Sequence, residues 1–125
     1  MKEILASFEK SLERLEDILK AERTVANRDS AIKRFEFTVE LAWKSLQLFL
    51  REQKIVCRSP KECLKEAYKF GLVADDMGWL KIMDDRNLTV HTYDEKIAEE
   101  VYGRLAGYIR LFEELKKKLK GFKDE

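Results

Sequence analysis

Four side chains able to act on a phosphate ester stand close together in the run RNLTVHTY: Arg86, Asn87, His91 and Tyr93. His91 is the only histidine of the chain. An arginine presents a planar fork to phosphate oxygens and keeps its charge. A histidine titrates near neutrality and takes or gives a proton. An asparagine fixes an imidazole tautomer or holds a phosphate oxygen. In RNA the neighbouring 2′-hydroxyl is a built-in nucleophile, so a base to activate it and a cation on the phosphate suffice for cleavage without a metal. On a regular helix Asn87 and His91 stand about 40° apart, and Arg86 and His91 about 140°. The last two still converge on one ligand if the helix ends near His91, because arginine is long. Against this, a histidine near a helix end more often caps or packs than catalyses. Arg86 also has Asp84 and Asp85 beside it as possible ion-pair partners.

The elements that must position these residues read as helices. Ile4, Leu5, Phe8, Leu12, Leu15, Ile18 and Leu19 recur at three- and four-residue steps, which predicts an amphipathic helix to about 21–26. Asn27 or Asp29 is placed to cap the second helix, whose stripe includes Ile32, Phe35, Val39, Ala42, Trp43, Leu46, Phe49 and Leu50. It should end near Gln53 or Lys54. The run SPKE starts a short third helix, with Ser59 as cap, Pro60 at the first helical position and Glu62 closing a capping box. Gly71 ends it. Asp75 or Asp76 starts a fourth helix through Trp79, Leu80, Met83 and Leu88, running into the candidate site. Asp94 caps the last helix and Glu95 adds charge at its positive end. The last stripe is Ile97, Val101, Leu105, Tyr108, Ile109, Phe112, Leu115 and Leu119. The expected fold is all-α: an antiparallel up-and-down four-helix bundle with an additional short helix, formed as one domain over 1–125.

Composition narrows the function classes. Lys plus Arg number 25 and Asp plus Glu 24, a net charge of +1, so nothing drives the whole chain toward nucleic acid or an acidic membrane. A polyanion would need a local patch. The first twenty residues mix charge with apolar side chains and lack the continuous apolar core of a signal peptide. No window is apolar enough to span a bilayer. Cys57 and Cys63, six apart, match no zinc spacing and read as two buried or partly buried thiols in a reducing cytoplasm. The expectation is a cytoplasmic protein with no membrane association, no metal and no cofactor. Scarce Asn and Gln beside abundant Lys and Glu lean toward a thermophilic source.

The run RNLTVHTY, as R-x4-H-x-Y with a polar residue after the arginine, resembles the HEPN superfamily in its HepT branch, the nucleotidyltransferase substrate-binding proteins. RDSAIKRFEFTVELAWKSL (28–46) resembles the second helix of that branch, and 74–95 resembles the segment that leads into its motif. The likeness covers about 5–120. It implies a helical bundle that dimerises, with two R-x4-H motifs meeting across the two-fold axis as a metal-independent ribonuclease. It implies a toxin paired with a small nucleotidyltransferase encoded nearby, which neutralises it by adding AMP to the motif tyrosine, here Tyr93. Such a dimer meets a chemical need: 2′-hydroxyl attack wants one base and one acid, and a second copy supplies the second histidine.

On this reading Arg86 is the phosphate clamp, His91 the general acid or base, Asn87 a positioning group and Tyr93 a regulatory or orienting phenol. The alternative is a non-catalytic subunit that binds a nucleotide or substrate for its nucleotidyltransferase. Glu36, Glu40 and Trp43 lie on successive turns of the second helix and read as structural, with the carboxylates in a buried pairing with Lys or Arg. Asp75 and Asp76 read as a cap, Asp84 and Asp85 as a solvated face. The basic tail KKKLKGFK complements the helix dipole, with phosphate contact as the other reading.

Overall fold

The computed structural model describes residues 1–123. The chain runs α1 (Lys2–Lys20), α2 (Val25–Glu52), α3 (Pro60–Phe70), α4 (Asp76–Leu88), a 3-10 turn (Thr89–His91) and α5 (Glu95–Lys123). Among the described residues there is no strand, so the fold is the all-α bundle that the periodicity predicts. Three helices are long (α1, α2 and α5) and pack on one another. Two are short: α3 has 11 residues and α4 has 13. These lie against α2, and α4 also reaches α5. No described helix is long and apolar enough to cross a membrane.

The caps explain where the helices begin and stop. Thr24, not Asn27 or Asp29, caps α2: its Oγ1 accepts from the Asn27 amide at 3.0 Å. The Asn27 side chain turns back instead and donates to the Glu22 carbonyl at 2.7 Å. Helix α2 ends at Glu52 and leaves through Lys54 in the left-handed region, φ 65°. Ser59 accepts from the Glu62 amide at 3.1 Å, with Pro60 in the first turn. The Glu62 carboxylate reaches the amide of Arg58, one residue before the cap. Gly71 takes φ 94° and its amide closes on the Ala67 carbonyl at 3.0 Å, the left-handed stop that glycine adopts without a Cβ penalty.

The thiol reading of the cysteines is corrected. Cys57 and Cys63 are both buried and form a disulfide, with Cα atoms 5.1 Å apart. The Ser59 cap turns the connector back, so Cys57 lies over the first turn of α3, where Cys63 sits.

The core is aromatic where α4 joins the long helices. Phe112 of α5 meets Phe8 at 6.3 Å, Phe35 at 6.4 Å and Trp79 at 5.4 Å, all edge-on. All four side chains are fully buried. Burying each such side chain contributes roughly 1.5–3 kcal/mol. Gly78 allows the first turn of α4 to approach α5: a Cβ there would lie 2.8 Å from Leu111 Cδ1 and 2.6 Å from Asp75 Oδ2. Ser11 and Thr38 satisfy each other at 2.8 Å inside the α1–α2 contact. The basic end of α5 is engaged within the chain. Lys118 donates to the Gly71 carbonyl at 2.7 Å, Lys116 pairs with Glu113 at 2.9 Å and Lys120 with Glu9 at 3.2 Å. That end lies about 40 Å along α5 from the motif, at ~1.5 Å per residue. It therefore serves the scaffold rather than the candidate site of its own chain.

Candidate functional site

The motif straddles the end of α4. Regular helix stops at Leu88, a 3-10 turn carries Thr89–His91, and the chain turns through Thr92, Tyr93 and Asp94 into α5. The helical angles expected between Asn87 and His91 therefore do not apply beyond Leu88. Thr89 makes the break. Its buried hydroxyl donates to the Arg86 carbonyl at 2.6 Å, competing with the helical ladder. Thr92 then donates to the Thr89 carbonyl at 3.0 Å, and the Asp94 amide to the His91 carbonyl at 3.1 Å. Asp94 Oδ1 accepts from the amides of Lys96 at 2.9 Å and Ile97 at 3.4 Å, which starts α5.

Two charged anchors hold this turn, and neither was legible as one. Asp85 was expected on a solvated face with Asp84. Only Asp84 is exposed; Asp85 is buried and faces α5. It accepts a bidentate pair from Arg104, Nε at 2.8 Å and Nη2 at 2.7 Å, and a short hydrogen bond from the Tyr108 hydroxyl. Burial, and then the Asp85 carboxylate beside it, push the Tyr108 phenol up and keep it a donor. Donating hydrogen bonds to Asp85 likewise raises the Arg104 guanidinium. The available signal was phase: Asp85 lies three residues after buried Ile82 and four before buried Thr89. The second anchor is Arg28 of α2. Buried itself, it pairs with Glu95 at 2.7 Å, Asp29 at 3.0 Å and Glu99 at 3.1 Å. It thus ties α2 to the first turn of α5, immediately after the motif. Its hydrogen bond holds the Glu95 carboxyl below the usual range. Arg23 and then Arg28 do the same for Glu99.

The four candidate side chains fall into two groups. Arg86 and Asn87 line a cavity of about 380 Å³ between α2, the start of α3 and the end of α4. Arg86 is half-buried. One terminal nitrogen reaches Thr89 Oγ1 at 3.5 Å, while its buried Nε has no acceptor among the described residues. A buried guanidinium N–H without a partner carries a desolvation cost that an incoming anion would relieve. His91 and Tyr93 stand outside the cavity and are exposed, Tyr93 to 82%. They approach each other, with Nδ1 of His91 3.4 Å from the Tyr93 hydroxyl. The Nδ1 edge of the imidazole is thus the one turned toward the phenol.

The other sequence features resolve as follows. Glu36 and Glu40 are not in buried pairings: they meet Lys33 at 3.3 Å and Lys44 at 3.5 Å on the same helix. Glu40 and Trp43 instead line the cavity with Arg86. Asp75 is a cap, its Oδ1 accepting from the Gly78 amide at 2.9 Å. Among the described residues no group of three or more His, Cys, Asp or Glu is arranged to hold a metal ion.

Residues 3–121 match the family described as nucleotidyltransferase substrate binding protein like. A curated relative from Haemophilus influenzae, named Probable ribonuclease HepT, is 36% identical over 84 residues, 63% of this chain and 58% of that relative. The aligned part thus spans little more than half of the relative's length. A crystal structure from Thermus thermophilus superposes with TM-score 0.84 at 40% identity, covering 90% of this chain and 98% of that one. A Haemophilus influenzae structure, described as the fold of a substrate binding domain of a nucleotidyltransferase, superposes with TM-score 0.82 at 26% identity. It covers 93% of this chain and 98% of the other.

Proposed function

Because this chain belongs to the nucleotidyltransferase substrate-binding family, the HepT-like branch of the HEPN proteins, we propose that it is a metal-independent RNA endonuclease. It acts as a homodimer in the cytoplasm, as the toxin of a pair whose other member is a small nucleotidyltransferase encoded nearby. Residues 1–125 serve as one helical unit. The observation that carries the reading is the split motif. A clamp of Arg86 and Asn87 sits in a cavity wall, and an unburied imidazole sits on the next turn beside a phenol.

Each part has a definite task. Arg86 holds the scissile phosphate and offsets the charge that builds on the phosphorane. Asn87 positions a phosphate oxygen. His91 of one protomer takes the 2′-hydroxyl proton, and His91 of the partner subunit protonates the leaving 5′-oxygen. General acid–base help of this kind contributes roughly 10²–10⁴ in rate. The product is a 2′,3′-cyclic phosphate. Tyr93, exposed and hydrogen-bonded to His91, accepts AMP from the nucleotidyltransferase with release of pyrophosphate. The added phosphate then competes for Arg86 at high effective concentration. The Cys57–Cys63 bridge suits a cytoplasm of the hyperthermophilic kind, where intracellular disulfides are common.

Cleavage of single-stranded RNA by the purified protein, in chelator, tests the reading. His91→Ala and Arg86→Ala should each lose cleavage by 10²-fold or more, as ~10²–10⁴ is what such groups supply, while keeping the wild-type melting curve. Activity that vanishes in chelator and returns with Mg²⁺ contradicts it. Mass spectrometry after incubation with the nucleotidyltransferase and ATP should place AMP on Tyr93. A protein that binds nucleotides but cuts no RNA would favour the non-catalytic substrate-binding reading.

A further inference from the structure

The cavity beside the motif is more than a wall for Arg86, because its lining has a sidedness. Val39, Trp43 and Met83 give it an apolar floor. The α2 wall carries a single carboxylate, Glu40, while the α3 and α4 walls carry Lys61 and Arg86. Its volume of about 380 Å³ lies at the lower end of small-ligand sites, roughly 300–1,000 Å³. Glu40 is available: its ion pair with Lys44 is long, 3.5 Å, and both side chains are nearly half exposed. Such a lining repels a phosphate from the Glu40 wall and attracts it to the other two. A flat, apolar group with hydrogen-bond donors on its edge suits the Glu40 side.

We propose that this cavity is a base-selecting subsite for a guanine in single-stranded RNA, with Glu40 reading the base edge and Trp43 stacking on its face. The inference rests on the ribonuclease reading and names its substrate. A carboxylate only accepts. Guanine is the common base whose Watson–Crick edge offers two adjacent donors, N1–H and N2–H. Adenine and cytosine set a ring-nitrogen acceptor beside their single amino group, and that lone pair would face a carboxylate oxygen. Uracil flanks its one N–H with two carbonyls. Stacking on an indole accepts any base, so Trp43 adds affinity and Glu40 adds choice. Because Arg86 belongs both to the cavity and to the clamp, the selected base is that of a nucleotide next to the scissile phosphate. Cuts should therefore fall at a fixed offset from guanine.

The test uses the His91→Ala protein, which does not consume RNA, and short labelled oligonucleotides. A strand with one guanine in an adenine context should bind about tenfold more tightly than the all-adenine strand, the scale of one good two-bond base contact. Glu40→Gln, added to it, should bring the two within about twofold, because the amide presents a donor to N1–H or N2–H. Its unchanged melting curve would show that the loss is not unfolding. Trp43→Ala should weaken every strand. Equal binding of both strands, or a guanine preference that survives Glu40→Gln, overturns the subsite. Free 5′-GMP binding as tightly as the oligonucleotide also overturns it, since the ligand would then be a nucleotide and not RNA. Cleavage is mapped separately with His91 intact. Cutting without guanine bias sinks this inference and leaves the ribonuclease standing. Guanine preference lost in Glu40→Gln, without cutting by the parent protein, does the reverse.

Discussion

Arg86 and His91 are five residues apart and live in opposite surroundings. Arg86 follows the buried Asp85 anchor, in regular helix, with a buried nitrogen that has no partner among the described residues. His91 closes a 3-10 turn, is exposed, and approaches the exposed Tyr93. The first half of the motif is thus set by the scaffold. The second is open to solvent. Rigid placement suits a clamp, whose value depends on arriving pre-aligned. On the proposed function, solvent exposure suits a proton-transfer group shared with another protomer and a phenol open to modification.

The largest stability effect expected tests the fixed half. Asp85→Ala removes one partner of a buried pair and leaves Arg104 facing the gap. The cost should be about 3 kcal/mol, the low end for such a loss, because Arg104 is 34% exposed. Asp84→Ala, on the exposed side, should stay within about 0.5 kcal/mol. Denaturant unfolding of the two variants checks this, and equal losses would remove Asp85 as the anchor. Next in size is the bridge that bounds the cavity wall. Cys57→Ser with Cys63→Ser should cost about 2 kcal/mol, the loop-entropy value for so short a closure.

A smaller effect separates scaffold titration from site titration. Glu16 of α1 has a buried Oε1 without a hydrogen-bond partner among the described residues, and sharing a proton with Glu113 of α5, burial and the Glu113 charge push Glu16 up to about 7. Unfolded, it would release its proton near 4.5. Between those values the folded state binds more protons, so stability falls as pH rises through that window. Glu16→Gln should flatten the fall, as thermal melts across pH will show. A cleavage profile that still varies there in Glu16→Gln then belongs to the site and not to the bundle. The smallest effect tests the free half: Tyr93→Phe should leave the melting curve unchanged and cleavage within about twofold, since an exposed phenol supports no core. A large loss of cleavage would move Tyr93 from regulation into catalysis.

Much of the fold was legible. The stripes of α1, α2 and α5 are long, so the 3.6-residue period is unambiguous, and Ser59, Pro60, Gly71, Asp75 and Asp94 act through local geometry that spacing reveals. What escaped depends on distant partners. Asp85 and Arg28 are charged, and charge by itself reads as surface. Their burial follows from Arg104, Glu95 and Glu99, which the fold brings in from α5. Cys57 and Cys63 pair because a cap reverses the chain between them. Glu40, Trp43 and Lys61 gather around Arg86 only once α2, α3 and α4 pack, so the cavity has no signature in any one segment. The motif residues were visible as types at a spacing, and their division into an inner and an outer half was not, because Thr89 ends the helix between them.

On the proposed function, the outer half of the motif is completed by a second chain. Wild-type and His91→Ala chains can be unfolded together, refolded at varied ratios and assayed on RNA at fixed total protein. If each cut needs His91 from both protomers, only wild-type pairs cleave, and activity follows the square of the wild-type fraction, about a quarter at an equal mixture. Activity that falls in simple proportion, to about a half at that mixture, would mean each chain cuts with its own histidine and would contradict the shared site.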